Sequence, residues 1–293
     1  MPIAFRSPVP TEADWQTQKE AIKLCRGGAC YAALTAHFHT TSQPRLEWSI
    51  DHRRPYGADD DELDQSNSNK YLRWRQGKAL PSNSSIRRVY QRSGGSVRLG
   101  FWRDLPLWGL LQQQPPALQC LHTLLEGSPS GIRRILFLDV EPGETGRYSH
   151  AILEGSEMRA LRNLGSLDAF IALLCLSRQG ELLENDQQQY LPAACAYDIF
   201  PKVLYSYPPL RYVWKTLFSC LERIFWRRVY ANGMYFDFPI ETVCSSLETL
   251  HDDPSAPLPQ RTGKRLRVID DDPLKAIEDK IAKATSRHSP RRK

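Results

Sequence analysis

Residues 210–233, LRYVWKTLFSCLERIFWRRVYANG, decide the fold class. Leu210, Val213, Trp214, Leu217, Cys220, Leu221 and Ile224 recur in steps of three and four, the period of an α-helix that buries one stripe. Pro208-Pro209 stand at its start and Asn232-Gly233 at its end, where a helix begins and stops most readily. Arg223, Arg227 and Arg228 lie toward the C-terminal end, where cations complement the helix dipole.

The same period recurs along most of the chain. Ser166 is placed to cap a helix whose Leu167, Phe170, Ile171, Leu174 and Cys175 form a core face, with Gly180 as its end. Residues 12–25 form another, with Trp15, Ala21, Ile22 and Cys25 near one face. Gly27-Gly28 is expected to break it before a second helix from Ala29 to His39.

Asp104 is expected to cap a helix with Pro106 in its first turn, and residues 118–125 form a helix ended by Gly127. Helical residues 185–206 are interrupted by Pro192 and Pro201, and Pro239 opens a helix through Leu250. A strand is expected over 133–140, where an apolar run ends in Pro142-Gly143, and short extended pieces over Leu46–Ile50 and 234–238. Residues 40–69 otherwise read as a long surface loop.

The fold class that follows is mainly α: an irregular helical domain with few short strands and a C-terminal tail helix. The helical body covers 1–250, with a sub-boundary near 94–100 where SGGSV reads as a flexible link. Residues 251–268 have linker composition, and 269–293 form a basic tail. Its short amphipathic helix, anchored by Leu274, Ile277 and Ile281, is too small to fold alone.

Of 293 residues, 41% are hydrophobic and 25% charged, which is ordinary for a globular chain and argues against disorder. The N-terminal MPIAFRSPVP lacks the pattern of a secretory signal, and the longest apolar run, Ala169–Leu176, is far too short to span a bilayer. A cytoplasmic location without membrane contact is expected. The odd count of seven cysteines, without paired spacing, reads as free and mostly buried thiols.

The net charge of +6 is concentrated at one end. Residues 261–293 hold eleven Lys or Arg against five Asp or Glu, so residues 1–260 carry 28 of each sign. A neutral body with a basic tail predicts nucleic-acid contact that is sensitive to salt and indifferent to sequence, with Lys264, Arg265 and Arg267 supplying part of it. Arg73, Arg75, Arg87, Arg88 and Arg92 are the cations of the body that would join them.

Those arginines lie in KYLRWRQGKALPSNSSIRRVYQRSGG, residues 70–95. Tyr71 and Trp74 before Gly77, then Pro81, the serines Ser82, Ser84 and Ser85, and the stripe Ile86, Val89 and Tyr90 predict two short helices joined by a tight corner. The beat Trp74-x2-Gly77-x3-Pro81 resembles the end of the recognition helix and the following turn of phage-repressor-type helix-turn-helix domains, over about residues 69–93. Residues 51–68 offer chiefly Pro55, Tyr56 and Leu63 where that family places a full scaffold helix. Together with the Pro106–Leu111 segment, the stretch is also similar to uncharacterised bacterial proteins, a resemblance that implies a bacterial source and no defined activity.

Cys25-x4-Cys30-x6-His37-x-His39 offers four zinc-ligand types. Cys30 falls inside a helix and the two histidines on different sides of it, so buried thiols and a helix-end histidine are expected instead. Asp139 and Glu141, at the end of ILFLDVEPG, could pair for metal-assisted hydrolysis or simply be turn residues. No partner orients Asp51, His52 or His150 for acid–base work.

Phosphate-loop, dinucleotide, nucleophile-elbow and zinc-protease signatures are absent, and no cofactor is expected. The expected function is that of a non-enzymatic accessory or regulatory protein with a protein partner first and nucleic acid second. A metal-dependent nuclease and a structural assembly subunit are the alternatives.

Overall fold

The computed structural model describes residues 12–51, 69–137, 155–226 and 238–254. Its spine is α1, Glu12–Phe38, a single helix that passes straight through Gly27-Gly28. Two glycines inside a helix cost about 1 kcal/mol each relative to alanine, and here close packing offsets that cost. A Cβ on Gly27 would meet the Trp74 carbonyl oxygen at 2.1 Å, and one on Gly28 would meet Val213 Cγ1 at 2.5 Å. The glycines mark crossing points, not an end.

Four short helices gather on the C-terminal half of α1: α2 (Gln43–Asp51), α3 (Lys70–Arg75), α4 (Asn83–Arg92) and α5 (Leu99–Arg103). With Cys30, Tyr31 and Leu34 of α1 they bury Leu46, Ile50, Tyr71, Trp74, Val89, Val97 and Leu99 in a small core. The piece expected to be extended, Leu46–Ile50, is helical because Leu46 and Ile50 at i and i+4 both face that core.

The α3–α4 corner forms as expected: Gly77 is left-handed (φ +67°), and the Ser82 side chain accepts the Ser85 N–H at 3.2 Å. The SGGSV segment is a tight turn and no loose link, since Ser93 Oγ accepts the Val97 N–H at 3.1 Å while Val97 is buried.

The remaining helices are α6 (Leu107–Leu110), α7 (Leu118–Glu126), α8 (Ser130–Leu136), α9 (Gly155–Leu164), α10 (Leu167–Leu182), α11 (Asp186–Ser206), α12 (Pro208–Tyr212), α13 (Trp214–Leu221) and α14 (Ile240–Asp252). They build the large core around the antiparallel neighbours α10 and α11, and the N-terminal half of α1 adds Ile22, Cys25 and Ala29. Leu99 belongs to the small core and Leu105 to the large one, and Trp102 packs against both.

Several local expectations give way to packing. The strand expected over 133–140 is helical through Leu136, because Ile132 and Leu136 at i and i+4 are both buried while Arg134 is exposed; residues 138–140 lie outside the described residues. Among the described residues the protein is mainly α, and the few short strands are not seen.

Gly180 does not end α10, which runs on to Leu182; the missing side chain admits the first turn of α11, whose Gln189 nitrogen would lie 2.3 Å from a Cβ there. Asp104 does not cap α6 but closes α5, its carboxylate held by Arg103 at 2.7 Å. The helix expected from 210 breaks at Val213 and ends, as far as it is described, in a π-helical turn over Glu222–Trp226. Its apolar stripe is nonetheless the core-facing one, with Leu210, Leu217 and Leu221 fully buried.

Pro192 and Pro201 stay within α11. Side chains take up carbonyls near the first of them: Ser177 Oγ donates to the Gln189 carbonyl at 2.7 Å and Trp226 Nε1 to that of Ala193 at 3.1 Å. No helix among the described residues is long and apolar enough to cross a membrane.

Candidate binding surface

Asp51, the last residue of α2, organises the small core's outer face. Its carboxylate, only 4% exposed, accepts Lys70 Nζ at 2.8 Å, the Tyr71 hydroxyl at 2.9 Å and Arg88 Nη1 at 2.6 Å. One acid thereby joins α2, α3 and α4. Burial pushes the Asp51 carboxyl up, but the bonds from Lys70, Arg88 and Tyr71 outweigh it and hold the group below the usual aspartate range. Burial, with the Asp51 charge beside it, pushes the Tyr71 phenol upward, so it stays a donor.

A second knot fixes α5. Arg103 forks onto Asp104, and its Nη1 reaches the Pro81 carbonyl at 3.0 Å and Asn83 Oδ1 at 2.8 Å, at the start of α4. The bond from Arg103 draws Asp104 below the usual carboxylate range. Arg26 of α1 joins by a 3.0 Å bond from Nε to the Arg103 carbonyl.

These two acids matter because residues 69–103 contain nine Lys or Arg and no Asp or Glu. Asp51 engages Lys70 and Arg88, and Asp104 engages Arg103. Arg73, Arg75, Lys78, Arg87, Arg92 and Arg98 remain exposed, with no carboxylate partner among the described residues. Arg75 lies over the Tyr31 ring, 5.9 Å from its centroid. Trp48, Leu72, Tyr90 and Phe101, on α2 to α5, are exposed among these cations.

Of the cations expected to meet nucleic acid, Arg73, Arg75, Arg87 and Arg92 are therefore on this surface, and Arg88 spends its charge on Asp51. Lys264, Arg265 and Arg267 lie outside the described residues, as do Asp139 and Glu141. Sequence reasoning missed Lys78 and Arg98, and it missed the acid-free window itself, which a sliding charge count would have found.

The four zinc-type residues do not converge. The Cys25 thiol meets that of Cys220 on α13, and Cys30 donates to the Leu99 carbonyl at 3.8 Å. His37 and His39 are exposed at the end of α1, the latter with φ +49°. Among the described residues no three His, Cys, Asp or Glu side chains stand close enough to hold a metal ion. Burial pushes the Cys30 thiol up to about 12.

A cleft of about 500 Å³ between α11, α12 and α14 is lined by Tyr205, Arg211, Leu247, Glu248, His251 and Asp252, but no hydrogen bond orients one of these groups on another. The buried polar side chains Arg178 and Gln18 serve the scaffold. Arg178 Nε donates to the Leu110 carbonyl at 2.9 Å and its Nη2 to that of Gln112, while Gln18 Nε2 reaches the Leu111 and Cys220 carbonyls at 3.1 and 3.3 Å. The carbonyls left free at the end of α6 are thus closed by two long side chains.

Comparison with models of known families, with curated proteins and with solved structures finds no match to this chain.

Proposed function

We propose that this protein is a non-enzymatic accessory or regulatory protein that acts by binding, and that its small lobe, α2 to α5 on the end of α1, is a contact surface for the phosphate backbone of nucleic acid. The observation that carries this reading is the segregation of charge: nine cations and no acid over residues 69–103, six of them exposed without a carboxylate partner among the described residues. Opposite charges elsewhere in the chain cancel this excess in the sum, yet Arg73, Arg75, Lys78, Arg87, Arg92 and Arg98 have no carboxylate partner among the described residues. Cations spaced over rigid short helices suit a polyanion, whose binding releases condensed counterions.

The sequence alone ranks a protein partner ahead of nucleic acid and puts the net positive charge in the tail. This reading reverses that order and shifts the leading site to the body, with the tail as a second cationic segment. A bacterial source rests on the resemblance of residues 69–111.

The test is a mobility shift on the full-length protein at low and moderate salt, with two charge-removal variants. Replacing Arg73, Arg87, Arg92 and Arg98 by Gln is expected to abolish most binding, and the wild-type affinity is expected to fall on a log–log plot with a slope of roughly −0.7 to −0.9 per phosphate contact. Replacing Lys264, Arg265 and Arg267 by Gln should weaken binding less. If the tail variant loses binding and the lobe variant keeps it, the lobe is not the site.

A further inference from the structure

We propose that the nucleic acid held by this lobe is single-stranded, its bases stacked on Tyr90 and Phe101 and its phosphates met by Arg87 and Arg98. The inference rests on the polyanion reading above and adds the kind of strand.

Tyr90 and Phe101 are 50% and 47% exposed, far more than ring side chains that serve a core. They sit on two helices that pack together. Gly100, the neighbour of Phe101, lies under Ile86, with a Cβ there 3.8 Å from Ile86 Cγ2. Ile86 is one turn before Tyr90 on the same side of α4, so both rings flank one α4–α5 seam.

Each ring is also held in place. Gly95, left-handed at φ +83°, fits against the outer end of the Tyr90 ring, where a Cβ would come within 3.2 Å of Cζ. Phe101 meets Trp102 edge-on, with centroids 4.9 Å apart. Rings fixed in this way lose little freedom when a base stacks on them.

The cations stand beside the rings. Arg87 is three residues before Tyr90 on α4, and Arg98 precedes the first turn of α5; both are exposed and neither has a carboxylate partner among the described residues. Paired bases hide their faces inside a duplex, whereas an unpaired base offers a face to any aromatic ring. A cationic strip with exposed rings therefore complements a single strand, and without preference for sequence.

The experiment measures fluorescence anisotropy of labelled oligo-dT, alone and paired with oligo-dA, at one salt concentration with the full-length protein. The single strand is expected to bind at least about tenfold tighter than the duplex, since each stacked base contributes a factor of that order. Tyr90→Ala with Phe101→Ala should erase the preference, leaving duplex affinity and salt slope unchanged, while Tyr90→Phe keeps it. Far-ultraviolet dichroism and the thermal midpoint confirm that the variants fold.

Equal affinity of the wild type for both probes, or a double alanine variant that still prefers oligo-dT, overturns the stacking proposal and leaves the cationic surface intact. Failure of the wild type to bind either probe overturns both readings.

Discussion

The backbone of Gly27 on α1 lies so close to Trp74 that a single added carbon would stand 2.1 Å from the Trp74 carbonyl oxygen. The contact is reciprocal, because Gly77, just past Trp74, faces Leu24 with only 2.6 Å between a would-be Cβ and the Leu24 Cα. Two glycines let α1 and the α3–α4 corner touch backbone to backbone, and the corner's arginines are presented from that contact.

Gly27→Ala should therefore destabilise the protein although alanine is the better helix former. Overpacking against backbone costs about 1–3 kcal/mol or more, against a propensity gain of about 1 kcal/mol. Gly131→Ala in α8, where an added carbon meets nothing within 4 Å, should be neutral or stabilising by up to about 1 kcal/mol. Urea denaturation of the two variants decides it, and equal effects would mean that α1 and α3 are not in this contact.

Asp51 makes the small lobe acid-sensitive. Its carboxyl titrates lower in the folded protein than in the unfolded chain, so its contribution is complete above the ordinary aspartate range and is lost as pH falls through the lowered folded value. Asp51→Asn should cost about 2 kcal/mol at neutral pH, the size of losing charge-assisted bonds whose cationic partners can turn to water, and the deficit should shrink below pH ~4. Stability measured against pH for both proteins checks the crossover. A deficit that stays constant down to acid pH would contradict it.

Arg178 is 1% exposed, and its guanidinium spans two carbonyls of the α6 end and Glu181 at 2.5 Å. Arg178→Met leaves those carbonyls buried without donors and should cost roughly 3–5 kcal/mol. Arg178→Lys should recover little, because one ammonium cannot span the planar fork's three acceptors. Gln18→Leu, which removes the buried donor shared by the Leu111 and Cys220 carbonyls, should cost about 1–3 kcal/mol. Thermal midpoints ranked in that order are the expected outcome.

The thiols should divide by burial. Cys120 is exposed and Cys244 half-buried, while Cys25, Cys30, Cys175, Cys195 and Cys220 are buried. Its bond with Cys220, and then burial, push the Cys25 thiol up; burial alone does the same for Cys175. A disulfide reagent at neutral pH should label Cys120 quickly, Cys244 more slowly and the five others only in denaturant. Rapid labelling of Cys25 would show that α1 and α13 part readily.

Much of the fold was legible because its signals are local. The stripe from Leu210 to Ile224, the Ser166 and Ser82 caps, the Gly77–Pro81 corner and the start of α14 after Pro239 each depend on spacing within a few residues, and the structure places them where spacing demands. The errors share one cause. Gly27 and Gly180 look like helix ends in sequence, and whether they end a helix or admit a neighbour depends on what packs there: Trp74 and Gln189. The run at 133–136 is apolar enough for either state, and its partners make it a helix.

For the candidate surface, sequence determined the ingredients: an acid-free window of 35 residues and two short helices to carry it. Only the tertiary structure decided which cations remain for a ligand, because Asp51 reaches from α2 to engage Lys70 and Arg88 on two other helices, while Asp104 engages its chain neighbour Arg103. Net charge adds over a chain without regard to position, whereas a field at a surface depends on distance, and distances exist only once the helices have packed.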